Sequence, residues 1–172
     1  KDILDSRNIF ITLLKKIFLI ALATIAIVNI YFIIKYLVTP AAVYKKDFIQ
    51  EYLFAQALLN GVDPYLPISQ LAQQFIDRPI YLWSHPSPHP PIVAVLCLPF
   101  CIFTYSYAIV AWFIFEIICI FFAIYLFFYK LQKKSGFKLI IVTFFFLLAW
   151  PPLYYELIYG QLTALLFVLL TC

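Results

Sequence analysis

Long uninterrupted apolar runs constrain this chain more than any other feature. The runs at residues 17–38 and 106–129 each reach the roughly 20 residues that an α-helix needs to cross the hydrocarbon core of a bilayer. Two further apolar runs occupy residues 139–152 and 161–172. Hydrophobic residues make up 66% of the chain and charged residues only 12%, which excludes an ordinary soluble domain. We therefore predict an all-α, polytopic transmembrane protein.

The ends of the sequence indicate that it is part of a longer protein. The fourth run is still apolar at residue 172, although about a dozen residues cannot cross a hydrocarbon core of about 30 Å. The chain begins with Lys1 and contains no methionine. We expect residues 1–172 to be the N-terminal part of a single transmembrane domain whose fourth span is truncated.

The distribution of basic residues predicts the orientation in the membrane. Four basic residues precede the first run and four follow the second, whereas residues 39–105 contain only three. Cytoplasmic segments of membrane proteins are enriched in Lys and Arg, so we predict that residues 39–105 form a long outer loop. Within it, the apolar residues 92–103 are interrupted by Pro99 and are too short for a span. We expect them to form a re-entrant or interfacial helix.

Two stretches of the outer loop have the apolar periodicity of a helix. In residues 47–59 the apolar side chains recur at intervals of four, three and four residues, with Asp47, Gln50 and Glu51 on the opposite side. This pattern predicts an amphipathic helix that lies on the outer membrane surface. Residues 68–77 repeat it. Their predicted apolar face consists of Leu71, Ala72, Phe75 and Ile76.

Polar groups near the predicted spans are the candidates for chemistry, because ionisable groups there are costly unless they are hydrated or paired. Each has a second interpretation. Asp47 is a candidate for chemistry, but with Gln50 it also fits a helix N-cap. Glu51 either orients Asp47 or is simply solvated, and Asp63 before Pro64 fits a turn.

Two polar residues lie inside predicted spans. Asn29 is expected to form an interhelical hydrogen bond, and Glu116 is expected to face the interior of the bundle. The four cysteines lie in apolar runs without the spacing of a metal site, and we interpret them as small apolar residues of the packing.

Four short motifs, which occur in order along the chain, resemble motifs of glycosyltransferase family 87 in the C-type (GT-C) superfamily of membrane glycosyltransferases. That family includes polytopic bacterial mannosyltransferases that use polyprenyl-phosphate sugars. The motifs are Asp47-Phe48 after the first span, the turn from Gly61 to Tyr65, Pro90-Pro91 with Pro99, and Pro151-Pro152 followed by Gly160-Gln161. The resemblance covers residues 15–172.

The resemblance implies a GT-C-like fold and an inverting transfer of a hexose or pentose, with mannose favoured. The donor would be a polyprenyl-phosphate sugar and the acceptor a lipid or glycan, at the outer face of a bacterial inner (cell) membrane. Asp47 would be the catalytic base. The residues expected to bind substrate are Glu51, Tyr52, Asp63, Tyr65, Arg78, His85, His89, Glu156 and Gln161. No cofactor and no nucleic acid is expected, and a divalent metal is compatible with the site but not indicated.

Two other functions remain open. A non-enzymatic flippase for lipid-linked sugars or a small-solute transporter would use ionisable groups at the bilayer midplane, often within internal repeats. Asn29 and Glu116 are the residues that would serve such a carrier. The interfacial position of the polar cluster and the lack of a sequence repeat favour the enzyme. A subunit with a purely structural role is the third interpretation.

Overall fold

The structure is a computed structural model that describes residues 2–76, 84–130 and 137–171, and these residues form helices and no strand. The all-α prediction is therefore confirmed. The α-helices are α1 (Asp2–Val38), α2 (Pro40–Val43), α3 (Phe48–Leu59), α4 (Ile68–Phe75), α5 (Pro91–Cys97), α6 (Tyr105–Lys130), α7 (Phe137–Ala149), α8 (Pro151–Tyr159) and α9 (Thr163–Thr171). A 3-10 helix, Leu98–Ile102, directly follows α5.

Two of the described helices are long and apolar enough to cross a membrane. They are residues Ile9–Val38 of α1 and the whole of α6. A third span is present if α7 and α8 are counted together, although their axes bend by 79°. The apolar segment Pro91–Ile102 is shorter than a span, as the sequence predicted.

The bend between α7 and α8 corrects the prediction for residues 139–152. Trp150 has extended backbone angles (φ −81°, ψ 119°), because a residue that precedes proline is disfavoured in the helical region. The predicted span therefore ends at Ala149. After the bend the chain continues as helix α8, Pro151–Tyr159.

Helix α3 lies inside the protein, so the prediction that it is an amphipathic helix on the membrane surface is wrong. Nine of its twelve residues are buried, and it packs against α4, α5, the 3-10 helix and α6. Gln50 and Glu51 are buried together with their apolar neighbours. Periodicity locates a polar face, but it does not show whether that face meets water or another part of the protein.

Helix α4 is amphipathic, as predicted, and its apolar face packs on α3. Ile68, Leu71 and Ala72 are buried, and Ile76 is buried just beyond the end of the helix. The predicted helix extended to Asp77, which lies outside the described residues. The apolar side of α4 is thus covered by protein.

An aromatic cluster joins α3 to α6. The ring of Phe48 stacks on Trp112 with centroids 4.8 Å apart and meets Phe100 edge-on at 6.1 Å. The rings of Tyr105 and Phe48 are also stacked, with centroids 6.2 Å apart. Such aromatic pairs each contribute about 0.5–1.5 kcal/mol beyond the apolar area that they bury. The cluster fixes the first turn of α3.

Two polar residues in the spans take the positions expected from the sequence. Nδ2 of Asn29 in α1 donates a hydrogen bond to the carbonyl oxygen of Leu148 in α7 at 2.7 Å. The predicted interhelical hydrogen bond is therefore confirmed. Glu116 is 2% exposed and faces the interior, which also agrees with the prediction.

The end of α8 is held against the start of α3. The backbone amide of Asp47 donates to the carbonyl oxygen of Tyr159 at 2.9 Å, and Nζ of Lys46 donates to the carbonyl oxygen of Ile158. Gly160 then ends α8 in the left-handed conformation, with φ +68°. A Cβ atom at Gly160 would approach Cβ of Phe48 to 3.1 Å, so the junction requires glycine.

We expect G160A to destabilise the protein more than G61A. Both glycines have positive φ, but a Cβ atom at Gly61 would have no described atom within 4 Å. The left-handed backbone costs either alanine about 1–2 kcal/mol, and the close approach to Phe48 adds about 1–3 kcal/mol at residue 160 alone. Thermal denaturation of the two variants and the wild type in one detergent measures the difference. Equal losses of Tm would contradict the steric explanation.

Candidate functional site

A cleft of about 670 Å³ lies between α3, α5 and α9, and we call it the Asp47 cleft. Its volume is within the usual range for sites that bind small molecules. One end is polar and is lined by Asp47, Gln50, Glu51, His89 and Gln161. Apart from Thr163, the rest of the described wall is apolar. Its aliphatic side chains are Ile92, Val93, Leu96, Leu162, Leu165, Leu166 and Leu169.

The carboxylate of Asp47 faces this cleft and does not cap α3. Asp47 has helical backbone angles (φ −63°, ψ −33°), and its side chain makes no capping hydrogen bond within the described helix. The interpretation of Asp47 and Gln50 as a capping pair is therefore wrong. Instead, Oδ2 of Asp47 accepts a hydrogen bond from Nε2 of Gln161 at 2.8 Å.

Gln161 reaches Asp47 because the α8 junction places it there. The amide of Gly160 donates to the carbonyl oxygen of Glu156 at 2.8 Å, which closes the helix, and the left-handed Gly160 then turns the chain toward α3. The family resemblance assigned Asp47 and Gln161 to the same site. The structure brings their side chains into direct contact.

Glu51 and His89 form the second polar contact of the cleft. Nδ1 of His89 contacts Oε1 of Glu51, and the amide of His89 donates to Oγ of Ser87 at 3.3 Å. Pro88 and Pro90 flank His89, and proline fixes the backbone angle φ. The proline-rich segment therefore presents this imidazole to α3 from a restrained backbone.

Glu51 is 3% exposed, so the interpretation that it is a solvated side chain is wrong. Burial raises the pKa of Glu51 to about 8, and the nearby negative charge of Asp47 adds to the effect. Glu51 is therefore mostly protonated at neutral pH. Asp47 and Glu51 thus provide two carboxyl groups in different environments, an arrangement typical of acid–base sites.

Lys46 is a buried cation that the sequence did not single out. It is 0% exposed, and besides its hydrogen bond to Ile158 its Nζ lies 5.6 Å from the ring centroid of Tyr36. Burial lowers the pKa of Lys46 to about 8, and the negative charge of Glu116 partly opposes this change. The sequence signal for Lys46 was its position directly before Asp47. That signal is weak, because lysine side chains in loops are mostly solvated.

Of the nine predicted substrate-binding residues, three line the Asp47 cleft: Glu51, His89 and Gln161. Tyr52 is buried outside it, and its hydroxyl donates to the carbonyl oxygen of Phe103 at 2.9 Å. Gln50, which was not predicted as a binding residue, lines the cleft instead. Gln50 lies three residues after Asp47 and one before Glu51, and this spacing was the signal for it.

The other predicted binding residues are placed elsewhere. Oδ1 of Asp63 accepts from the amide of Tyr65 at 2.9 Å, which agrees with the alternative interpretation of Asp63 as a turn residue. The Tyr65 ring packs edge-on against Phe54 with centroids 5.2 Å apart. His85 is exposed and Glu156 is partly exposed, and neither lines the cleft. Arg78 lies outside the described residues.

The described residues include no group of three or more His, Cys, Asp and Glu side chains that could hold a metal ion. Cys97 and Cys101 lie near α3 but outside the cleft lining. Burial raises the pKa of both thiols, that of Cys101 to about 11. These thiols therefore remain protonated at neutral pH and are weak nucleophiles.

We expect the stability of the wild type to fall as pH rises from about 4.5 to about 8. In the folded protein the pKa of Glu51 is raised, so folding favours the protonated form and loses free energy as the carboxyl group ionises. In E51Q this group cannot ionise. The difference in unfolding free energy between E51Q and wild type should therefore grow with pH, approaching about 1.4 kcal/mol per pH unit, and the difference in Tm should grow with it.

Thermal denaturation at several pH values between 5 and 8 measures this difference, and comparison with the wild type removes the contribution of all other groups. Parallel curves of Tm against pH for the two proteins would contradict the buried state of Glu51.

No family model, curated protein or solved structure matches this chain. The chemistry of the Asp47 cleft must therefore be inferred from its own residues.

Proposed function

We propose that the protein transfers a sugar from a polyprenyl-phosphate donor to a lipid or glycan acceptor at the Asp47 cleft. The observation that supports this most directly is that one cleft joins the carboxylate of Asp47 to a long apolar wall. A lipid-linked sugar is an amphiphile, so its binding site needs a polar surface for the sugar and an apolar surface for the lipid. The sugar would lie at the polar end, and the prenyl chain would lie along α5 and α9.

In the proposed reaction, a hydroxyl oxygen of the acceptor attacks the anomeric carbon of the donor sugar. The new carbon–oxygen bond forms as the bond from the anomeric carbon to the phosphate oxygen breaks, which inverts the configuration. The proton of the hydroxyl passes to Asp47. The electron pair of the broken bond stays on the phosphate, and polyprenyl phosphate leaves.

The hydrogen bond from Gln161 holds Oδ2 of Asp47 in place. Oδ1 of the same carboxylate is then the atom that takes the proton. A base must be held within hydrogen-bond reach of the reacting hydroxyl, and the Gln161 contact supplies that restraint. In this proposal Gln161 is a positioning residue.

The leaving phosphate gains negative charge as the bond breaks and needs hydrogen-bond donors or cations nearby. The imidazole of His89, which lines the cleft, can donate such a hydrogen bond. Its contact with Glu51 gives the imidazole access to the proton of a carboxyl group that is mostly protonated at neutral pH. We propose that His89 donates to the phosphate while Glu51 supports it.

We place the cleft at the outer face of a multi-pass protein in the bacterial inner (cell) membrane. Helices α1 and α6 are long enough to span, and the basic residues before α1 and after α6 favour a cytoplasmic position for those ends. Residues 39–105, which supply α3 and the proline-rich segment, then lie outside. Lipid-linked donors and glycan acceptors are both available at such a surface.

A carrier for lipid-linked sugars is the alternative function. Asn29, one of the two residues that would serve a carrier, is engaged in the hydrogen bond to Leu148. Glu116 remains buried in α6 and is the residue through which a carrier would operate. This arrangement favours the enzyme.

We expect D47N and D47A to lower the turnover of sugar transfer by about 10²–10⁴-fold, because general base catalysis is lost. D47E keeps a carboxylate in a shifted position and should retain part of the activity. The assay uses the full-length protein in nanodiscs, polyprenyl-phosphate mannose as donor, and mass spectrometry of the product. Thermal denaturation of each variant tests whether it is folded.

Wild-type turnover in D47N would contradict the assignment of Asp47 as the base. Movement of the lipid-linked sugar across the bilayer by the wild type, without transfer to any acceptor, would support the carrier instead.

A further inference from the structure

Two buried acceptor oxygens of the Asp47 cleft have no hydrogen-bond partner within the described part of the chain. They are Oε1 of Gln50 and Oε2 of Glu51. The two residues are 8% and 3% exposed, and both line the cleft. A buried polar atom without a partner costs about 1–3 kcal/mol. A ligand in the cleft that donates hydrogen bonds would remove this cost.

Both residues line the same cleft as Asp47. Gln50 follows Asp47 by three residues and Glu51 follows it by four, so each lies on the Asp47 side of the helix. Asp47 is engaged by Gln161, and the other oxygen of Glu51 contacts His89. Gln50 Oε1 and Glu51 Oε2 are thus buried oxygens of the described cleft that lack a partner, beside the proposed base.

We propose that Gln50 and Glu51 form a subsite that accepts hydrogen bonds from the ring hydroxyls of a carbohydrate. This inference rests on the proposed function for the presence of a sugar in the cleft, and it assigns the recognition of that sugar to these two residues. The apolar wall that continues from the subsite binds the aliphatic part of the same ligand.

A neutral donor fits the subsite better than a cation does. The Gln50 side chain is uncharged, and burial favours the protonated form of Glu51. An ammonium group that left water for this site would lose its hydration without meeting a full opposite charge at the subsite. Hydroxyl groups bring the hydrogen-bond donors without that cost.

A site that binds hydroxyl groups also discriminates between ligands that have these groups and ligands that lack them. When a ligand lacks the hydroxyl, the acceptors of the protein stay buried without a partner, so the analogue is rejected more strongly than one lost contact implies. The subsite is therefore expected to select sugars from other amphiphiles of the same length.

The test measures binding of two probes to the full-length protein in nanodiscs. The first is octyl α-mannoside, and the second is octyl tetrahydropyranyl ether, which has the same ring and chain but no hydroxyl groups. The wild type should bind the mannoside at least about tenfold more tightly, since each lost hydrogen bond of this kind costs roughly a factor of ten. Equal affinities for the two probes would overturn the inference, and this comparison needs no variant.

The variants Q50L and E51L test whether these two residues cause the preference for the mannoside over the ether. Each should weaken binding of the mannoside about tenfold while leaving the affinity for the hydroxyl-free ether within about twofold. The matched control is Q56L, the same substitution two turns away on α3. Gln56 donates to the carbonyl oxygen of Cys101 at 3.1 Å and does not line the cleft. A loss in Q56L equal to that in Q50L would overturn the inference.

The D47N variant separates this inference from the proposed function. If D47N abolishes transfer but Q50L and E51L bind the mannoside as the wild type does, the subsite is wrong and the enzyme assignment stands. If Q50L and E51L weaken mannoside binding but the wild type transfers no sugar, the subsite stands and the enzyme assignment fails. Preference of the wild type for octylammonium over the mannoside would overturn the subsite.

Discussion

The hydrogen bonds between the start of α3 and the end of α8 are the contacts on which the candidate site depends. Asp47 and Lys46 donate to the last carbonyl oxygens of α8, groups that a helix cannot satisfy by itself. Because these carbonyls are bound, the chain after α8 emerges directly beside Asp47. Gly160 permits the approach, since its lack of a Cβ atom leaves room for Phe48. Gln161 then contacts the Asp47 carboxylate.

Burial of polar groups around this junction has a free-energy cost that the fold must offset. Lys46, Glu51 and Glu116 are all nearly inaccessible, and a buried charge is tolerated only where partners compensate for lost hydration. Lys46 has a carbonyl oxygen and an aromatic ring, and Glu51 has His89. The aromatic cluster around Phe48 supplies apolar packing on the same elements. The polar end of the cleft is thus restrained from two sides.

The sequence predicted the positions of the helices along the chain better than the contacts that the helices make in the fold. Apolar run length correctly identified α1 and α6 as helices long and apolar enough to span a membrane, but it did not show the bend after Ala149. The periodicity of residues 47–59 gave a helix with Asp47, Gln50 and Glu51 on one side. It could not show that this side faces α5 and α9, because those residues are distant in the chain. For the same reason Lys46 was missed, and Tyr52, Asp63 and Tyr65 were expected in a site that they do not line.

By itself, the sequence determined an all-helical chain with segments long and apolar enough to span a membrane and a polar group of residues near Asp47, because these features follow from local hydrophobicity and spacing. Only the tertiary structure decided that α3 is internal, that Asp47 pairs with Gln161, and that Glu51 is buried beside His89. Those facts depend on contacts between residues far apart in sequence, such as the 114 positions between Asp47 and Gln161. Local patterns contain no information about which distant backbone carbonyl a buried amide or ammonium group will reach.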